Sequence, residues 1–192
     1  MIYTIQGKFK LQRENFVVID VNGIGFKIFT TNETINILKQ SKQLINMFCF
    51  VYLRENLIDL YGFIDEPSLK LFELLNSVSG IGPKTALSIL NAGPIEHIMA
   101  AIVNNKKDIL QKMTGIGAKT AERLILELKE KIKMSPDKDL TKSLEIDQEV
   151  RDVLISLGYN DKDILAILKQ LPPEAKSLEQ KIKSALKLLT KH

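Results

Sequence analysis

One seven-residue pattern occurs twice at a fixed spacing. Gly80-Ile81-Gly82-Pro83-Lys84-Thr85-Ala86 returns as Gly115-Ile116-Gly117-Ala118-Lys119-Thr120-Ala121, an offset of 35 from 80 to 115 and from 84 to 119. Helical apolar spacing precedes and follows each copy, which predicts two helix–turn–helix units in tandem. Glycine tolerates positive φ, so Gly-Ile-Gly makes a tight turn between helices. Ile81 and Ile116 can turn inward and pin that turn. Each following helix begins with unpaired N–H groups and partial positive charge, a ready anion site. Pro83 suits the first helical position. Lys84 and Lys119 oppose the helix dipole and should cost stability. A phosphate between each lysine and its helix end accounts for both.

A single Gly-x-Gly before a helix is usually a mere connection; two copies sharing a Lys-Thr-Ala tail favour phosphate binding over a structural turn. Nucleotide binding fails on spacing. A Walker loop needs contiguous Gly-Lys-Ser/Thr, and Pro83 and Ala118 stand where that glycine belongs. The dinucleotide fingerprint needs a third glycine, where Thr85 and Thr120 stand instead.

The 192 residues allow one large domain or two to three small ones, with ordinary globular composition at 45% hydrophobic and 26% charged. No apolar run of about 18 residues predicts a membrane span. The N-terminus, Met1-Ile2-Tyr3-Thr4-Ile5, lacks the regions of a signal peptide. Cys49 is the only cysteine, set among Met47, Phe48, Phe50 and Val51, so it reads as a small core hydrophobe in a chain suited to a reducing cytoplasm. His97 and His192 are too few and too isolated for a metal site. No Ser-His-Asp set or flagged carboxylate pair points to a catalytic residue, and no cofactor is implied.

The net charge is +4, with a pI near 9.0. Residues 1–63 hold 7 basic and 5 acidic residues, residues 64–133 hold 10 and 8, and residues 134–192 hold 10 and 10. The mild excess in the first two segments favours a polyanion there and a different partner for the last.

Residues 1–63 read as strands: Ile2–Gly7, Phe16–Val21, Phe26–Thr30, Asn46–Leu53 and Leu57–Phe63. Asn22-Gly23 is a strong hairpin signal, and Arg54-Glu55-Asn56 a polar tip of another. Five short strands suggest a small closed barrel of the OB-fold kind. Residues 64–133 read as helical. Leu69, Phe72, Leu75 and Val78 lead into the first turn, and Ala121, Leu124, Ile125 and Leu128 follow the second. Lys129, Lys131 and Lys133 complement a helix C-terminus. Residues 134–143, polar and broken by Pro136, read as a flexible linker. Residues 144–192 read as a three-helix bundle broken at Gly158 and Pro172-Pro173, with Asp161 able to cap its second helix.

The fold class is thus α+β and multidomain: an OB-fold barrel, a tandem helix-hairpin-helix region and a C-terminal three-helix bundle. That module order resembles the RuvA family along the whole chain. The likeness rests on Met1-Ile2-Tyr3-Thr4-Ile5-Gln6-Gly7, Leu60-Tyr61-Gly62-Phe63, both hairpins, and Gly115 through Ala121 continued by Glu122-Arg123-Leu124. The resemblance implies a non-catalytic homotetramer, in some members two tetramers face to face as an octamer, that holds a four-way (Holliday) DNA junction open and square. It implies phosphate contacts without sequence reading, by Gly80, Gly82, Lys84, Thr85, Gly115, Gly117, Lys119, Thr120 and Arg123. It also implies that the C-terminal domain engages the RuvB ATPase, which drives branch migration, and that the RuvC resolvase is a further partner. No membrane is involved.

One departure matters. The family's acidic hairpin tip, Arg-Glu-Asp, is here Arg54-Glu55-Asn56. Glu55 fits the expected junction-facing acid, while Asn56 replaces the second one. Less repulsion of phosphate at the crossover should weaken strand separation without abolishing it. Two other classes compete. A helix-hairpin-helix glycosylase needs a catalytic Asp soon after the hairpin, whereas Glu127 and Glu130 lie on a helix that already reads as amphipathic. A protein scaffold built on the C-terminal bundle leaves Lys84 and Lys119 unexplained.

Overall fold

The computed structural model describes residues 1–41, 43–132, 138–168, 170–172, 175 and 177–189, with backbone alone at 138–145 and 162. Alternation builds the N-terminal region. Strand β1 spans Thr4–Gln12, β2 Phe16–Val21 and β3 Ile24–Phe29. β2 buries Val17 and Ile19, two residues apart on one face. Val21 pairs with Ile24, so Asn22 (φ 51) and Gly23 (φ 89) alone close the hairpin. Positive φ at both central residues is the type I′ turn expected of Asn-Gly. The Gly23 N–H donates to Asp20 Oδ1 at 3.0 Å.

β4 (Ile45–Arg54) and β5 (Leu57–Phe63) form the second hairpin. The strands close in the order β1-β2-β3-β5-β4, and β4 pairs back onto β1. β3 and β5 run parallel, with Ile28 opposite Leu60 and Phe29 opposite Tyr61. This is the five-stranded OB-type closure expected from the strand pattern. Gly7 is needed where strands approach: a Cβ there would lie 2.3 Å from the Asp20 carbonyl oxygen. Met47, Cys49, Ile5, Val17, Ile19 and Ile28 fill the interior. Burial pushes the Cys49 thiol up to about 12, so it remains a neutral core group.

Helix α1 (Asn32–Gln40) departs from the all-strand reading of residues 1–63. The Thr31 side chain caps it by accepting the Thr34 N–H at 3.2 Å. Ile35 and Leu38 then bury into the barrel core. Their helical spacing spans barely two turns, too short to stand out beside strong strand signals.

Beyond the barrel, α2 (Glu66–Ser77), α3 (Pro83–Leu90), α4 (Ile95–Val103), α5 (Lys107–Thr114) and α6 (Ala118–Leu128) follow. Asp65 caps α2, accepting the Ser68 N–H at 2.7 Å. Leu69, Phe72, Leu75 and Val78 are buried, which is the apolar face read from the sequence. The Phe72 ring meets Phe50 at 5.5 Å, Tyr61 at 5.1 Å and Phe63 at 5.1 Å. These contacts fasten the helical region to the barrel, and Met1–Lys133 forms one compact unit.

Met134–His192 forms a second compact unit: α7 (Lys138–Ser156), α8 (Asp161–Leu168) and α9 (Leu178–Leu189). Val150, Leu154, Ile164, Ile167 and Ala185 make its core. The linker expected over 134–143 is corrected at its far end, since helical backbone starts at Lys138. Lys138 through Ser143 contain neither Gly nor Pro and continue into the α7 stripe, so nothing stops the helix extending back. Residues 133–137, Pro173 and His192 lie outside the described residues. Asp161 is not the cap expected of it: it is the first residue of α8, and the backbone carbonyl of Asn160 before it accepts the Ile164 N–H at 3.0 Å. The Asp161 carboxylate instead takes two hydrogen bonds from Arg151, at 2.6 and 2.7 Å.

The Arg151 hydrogen bonds, and then its charge, hold the Asp161 carboxyl below the usual carboxylate range. A folded value below the unfolded one (about 3.9) means this stabilisation is complete above that pH and fades as pH falls through the folded value. Asp161 is half-exposed, so solvent screening limits the effect. Asp161→Asn should cost about 1 kcal/mol at pH 6 and less at pH 3. Urea unfolding of the full chain, read by amide exchange in α7 at both pH values, checks this.

Candidate nucleic-acid interface

The two Gly-Ile-Gly segments fold as turns between α2 and α3 and between α5 and α6, and they are built differently. In the first, α2 ends at Ser77 and a β-turn follows. The Ile81 N–H donates to the Val78 carbonyl at 3.0 Å, with Gly80 at φ 87. Positive φ at the third residue alone is the type II turn. In the second, Gly115 (φ 70) directly ends α5 in the left-handed conformation, and its N–H donates to the Gln111 carbonyl at 2.8 Å. Ile81 is buried, as expected, while Ile116 is half-buried.

Gly82 and Gly117 carry the main signal. Each is the N-cap of the next helix, with extended backbone at φ −89 and −68. Neither needs the conformational freedom of glycine, and a Cβ on either would meet nothing within 4 Å. Each position is where Ser, Thr or Asp would cap the helix better. Glycine there leaves α3 and α6 without a side-chain cap. It also leaves the approach to their first N–H groups open. The first internal bonds run from Ala86 to Gly82, at 2.9 Å, and from Ala121 to Gly117, at 3.0 Å. The amides of Lys84 and Thr85, and of Ala118, Lys119 and Thr120, therefore precede the helical ladder and point outward.

Electrostatics agrees. Helices α1, α2, α4, α5, α8 and α9 each carry an acid in the first turn. α3 and α6 carry none and hold Lys84 and Lys119 there instead. Both lysines are exposed, and among the described residues neither has an ion-pair or hydrogen-bond partner. Lys107, by contrast, is bonded to Glu122 at 3.2 Å. Two positive helix ends, each with an unpaired ammonium group and exposed donors, suit a chain of phosphates. Thr85 and Thr120 are half-buried beside them.

Arg123 lies on α6 but reaches the other turn, donating from Nη1 to the Ser79 carbonyl at 2.9 Å. Its Nε lies 4.0 Å from Glu127 Oε1. The second candidate region is the β4–β5 tip. Arg54 pairs with Leu57, so Glu55 and Asn56 alone make the turn, both exposed. Arg54 folds back, its Nε donating to the Tyr52 hydroxyl at 2.7 Å. Glu55 is left as the outward charge, flanked by Leu53 (69% exposed) and Ile58 (73% exposed). Sequence reading did not single out this apolar flank, although Leu53 and Ile58 break the polar-out alternation of an exposed tip.

Three family models match the chain: the RuvA N terminal domain over residues 1–62, the SAM-like helix-hairpin-helix tandem over 72–130, and the RuvA C-terminal domain over 147–190. Similar full-length proteins carry the name Holliday junction branch migration complex subunit RuvA. That of Caldanaerobacter subterraneus subsp. tengcongensis is 39% identical, covering 100% of both chains. That of Clostridium beijerinckii is 37% identical over 96% of this chain and 97% of its own. That of Acetivibrio thermocellus is 35% identical over 100% of both.

The uncapped helices make stability and anion binding oppose each other. Gly117→Asp should cap α6 and raise stability by a few tenths of a kcal/mol. The same carboxylate should lower affinity for duplex DNA several-fold. Thermal melts beside fluorescence-anisotropy titrations check both signs; a variant that binds equally well would remove this helix end from the interface.

Proposed function

The chain belongs to the RuvA family, and from that premise we propose that it binds four-way (Holliday) DNA junctions and serves as the DNA-binding subunit of a branch migration complex. It has no catalytic role of its own and works with the RuvB ATPase. The observation that carries this reading is the pair of uncapped, acid-free helix N-termini at Gly82 and Gly117 with Lys84 and Lys119 beside them. Exposed amides of the first turns and the two lysines grip phosphate oxygens, which are the same for every sequence. The amide of Gly80 joins them, whereas Gly115 spends its own amide on closing α5 and acts through the turn it makes.

The subunits assemble as a tetramer, or as two tetramers face to face, with RuvC resolvase as a further partner. In that arrangement the Glu55-Asn56 tips meet at the crossover. One carboxylate per tip repels phosphate with roughly 1 kcal/mol at 4 Å in water, and more where solvent is excluded. The single buried thiol suits a cytoplasmic setting. Residues 144–192, of balanced charge, form the part that engages RuvB.

Lys84→Ala and Lys119→Ala should each weaken junction binding equally on unrelated sequences. Each should also reduce the slope of log affinity against log salt by about one. Gel shifts at several salt concentrations measure this, and unchanged slopes would remove the hairpins from the phosphates. Glu55→Gln should tighten junction binding slightly and Asn56→Asp loosen it, with linear duplex indifferent to both. Equal effects on junction and duplex would place the tip away from the crossover. A chain ending at Met134 should bind junctions but fail to support RuvB-driven migration, measured by strand-release assays; full migration would refute the adaptor role.

A further inference from the structure

The Arg123 hydrogen bond joins the two repeats in one direction only. Arg123 sits on α6, the exit helix of the second hairpin, yet its Nη1 donates to the Ser79 carbonyl of the first turn at 2.9 Å. The equivalent position in the first repeat, at the same 35-residue offset, is Ser88, too short to return the contact. The carbonyl it takes is specific. Val78, Ser79, Gly80 and Ile81 form the type II turn, and Ser79–Gly80 is its central peptide. In a planar trans peptide the carbonyl and the N–H point in opposite directions. Holding the Ser79 oxygen on one side therefore aims the Gly80 N–H to the other.

We propose that Arg123 is a positioning residue: it latches the central peptide of the first hairpin turn and so presents the Gly80 amide to a DNA phosphate. This rests on the reading of the hairpins as phosphate sites. Two observations separate Arg123 from the lysines. Its Nε edge faces the Glu127 carboxylate at 4.0 Å, which offsets its charge, whereas Lys84 and Lys119 have no such partner among the described residues. A Cβ on Gly80 would also lie 3.7 Å from Arg123 Nη1, so the guanidinium packs against the turn as well as bonding to it. Without the latch the peptide is free to flip between type II and type I, which reverses the direction of the amide. Binding must then select one orientation, and apparent affinity falls by the fraction populated.

The test uses the full chain with Arg123→Gln, Arg123→Lys, Lys84→Ala and Lys119→Ala, alone and in pairs, on a four-way junction. Arg123→Gln should weaken binding three- to tenfold while leaving the salt slope unchanged. Its effect should shrink to less than twofold when Lys84 is already Ala, because both act on the first hairpin. It should persist in full when Lys119 is Ala. Without DNA, the N–H residual dipolar coupling of Gly80 should change in Arg123→Gln as its peptide samples two orientations, and Arg123→Lys should not restore it. A slope reduced by about one, with coupling to Lys119 and rescue by lysine, would make Arg123 a phosphate ligand and overturn the proposal. An unchanged Gly80 coupling would overturn it as well. If Lys84→Ala and Lys119→Ala leave the slope intact, the phosphate reading fails by itself, and the dipolar-coupling measurement still decides the latch.

Discussion

Phe72 is the point on which the first unit depends. Its ring is fully buried between barrel and helices, stacked on Tyr61 at 5.1 Å with an interplanar angle of 27°. Tyr61 in turn stacks on Phe29 at 5.4 Å, on the strand that pairs with it in parallel. The contact therefore runs from the barrel's closing ladder into the helix that leads to the first hairpin. Aromatic pairs of this kind contribute about 0.5–1.5 kcal/mol each beyond the area they bury. Polar ties surround the cluster: the Asn32 N–H donates to Asn91 Oδ1 at 2.8 Å, and the Tyr3 hydroxyl to Glu66 at 3.1 Å. The mechanical result is that hairpins and β4–β5 tip belong to one body. A phosphate held at one hairpin then has a defined position relative to Glu55, which independent domains on a loose tether would not provide.

Rigidity of the frame contrasts with restraint at the helix ends. A protein selected only for stability would place Ser or Asp at 82 and 117 and an acid in each first turn, as it does at Thr31 and Asp65 with Glu33 and Glu66. Glycine in place of a capping side chain costs a few tenths of a kcal/mol per helix, and the lysines add dipole repulsion. On the proposed function, a bound phosphate would reverse both terms at once, accepting the orphan N–H bonds and neutralising the ammonium group. The unsatisfied donors of the free protein would then be its store of binding energy, held in place by a core that does not depend on them.

Most of the fold was legible because its signals are local. Asn22-Gly23 dictates its turn by φ alone, and the repeated Gly-Ile-Gly marks both hairpins. The strand ends at Val21, Leu57 and Phe63 follow from apolar, β-rich runs bounded by polar turn residues. What was not legible depends on tertiary placement. Helix α1 owes its existence to a barrel end that Ile35 and Leu38 can fill, and nothing in nine residues announces that. The expectation for Asp161 used its local chemistry, yet a guanidinium ten residues earlier claims the carboxylate. In the candidate site, the sequence placed the glycines and lysines at helix starts, and the structure puts them there. The hydrogen bond of Arg123 was not readable, because its partner lies 44 residues away in the other repeat.

That last failure has a general physical basis. A close sequence repeat invites the inference of an exact structural repeat, but each copy packs against different neighbours. The first copy follows a helix pinned under the barrel by Phe72, so α2 must end at Ser77 and a β-turn carries the chain across to Pro83. The second follows α5, which is free to run up to Thr114 and end on Gly115 in the left-handed conformation. One turn then keeps the Gly80 amide available, while the other spends the Gly115 amide on its own helix. The turn with the spare amide also has the more flippable peptide, since a type II turn is held by a single bond at 3.0 Å. The Arg123 guanidinium brings an external donor to that turn. Ser88, at the equivalent place in the first copy, is too short to do the same for the second turn. Divergence of the repeat at Ser88 and Arg123 thus goes with the packing asymmetry, and the two turns are tied together rather than built as independent halves.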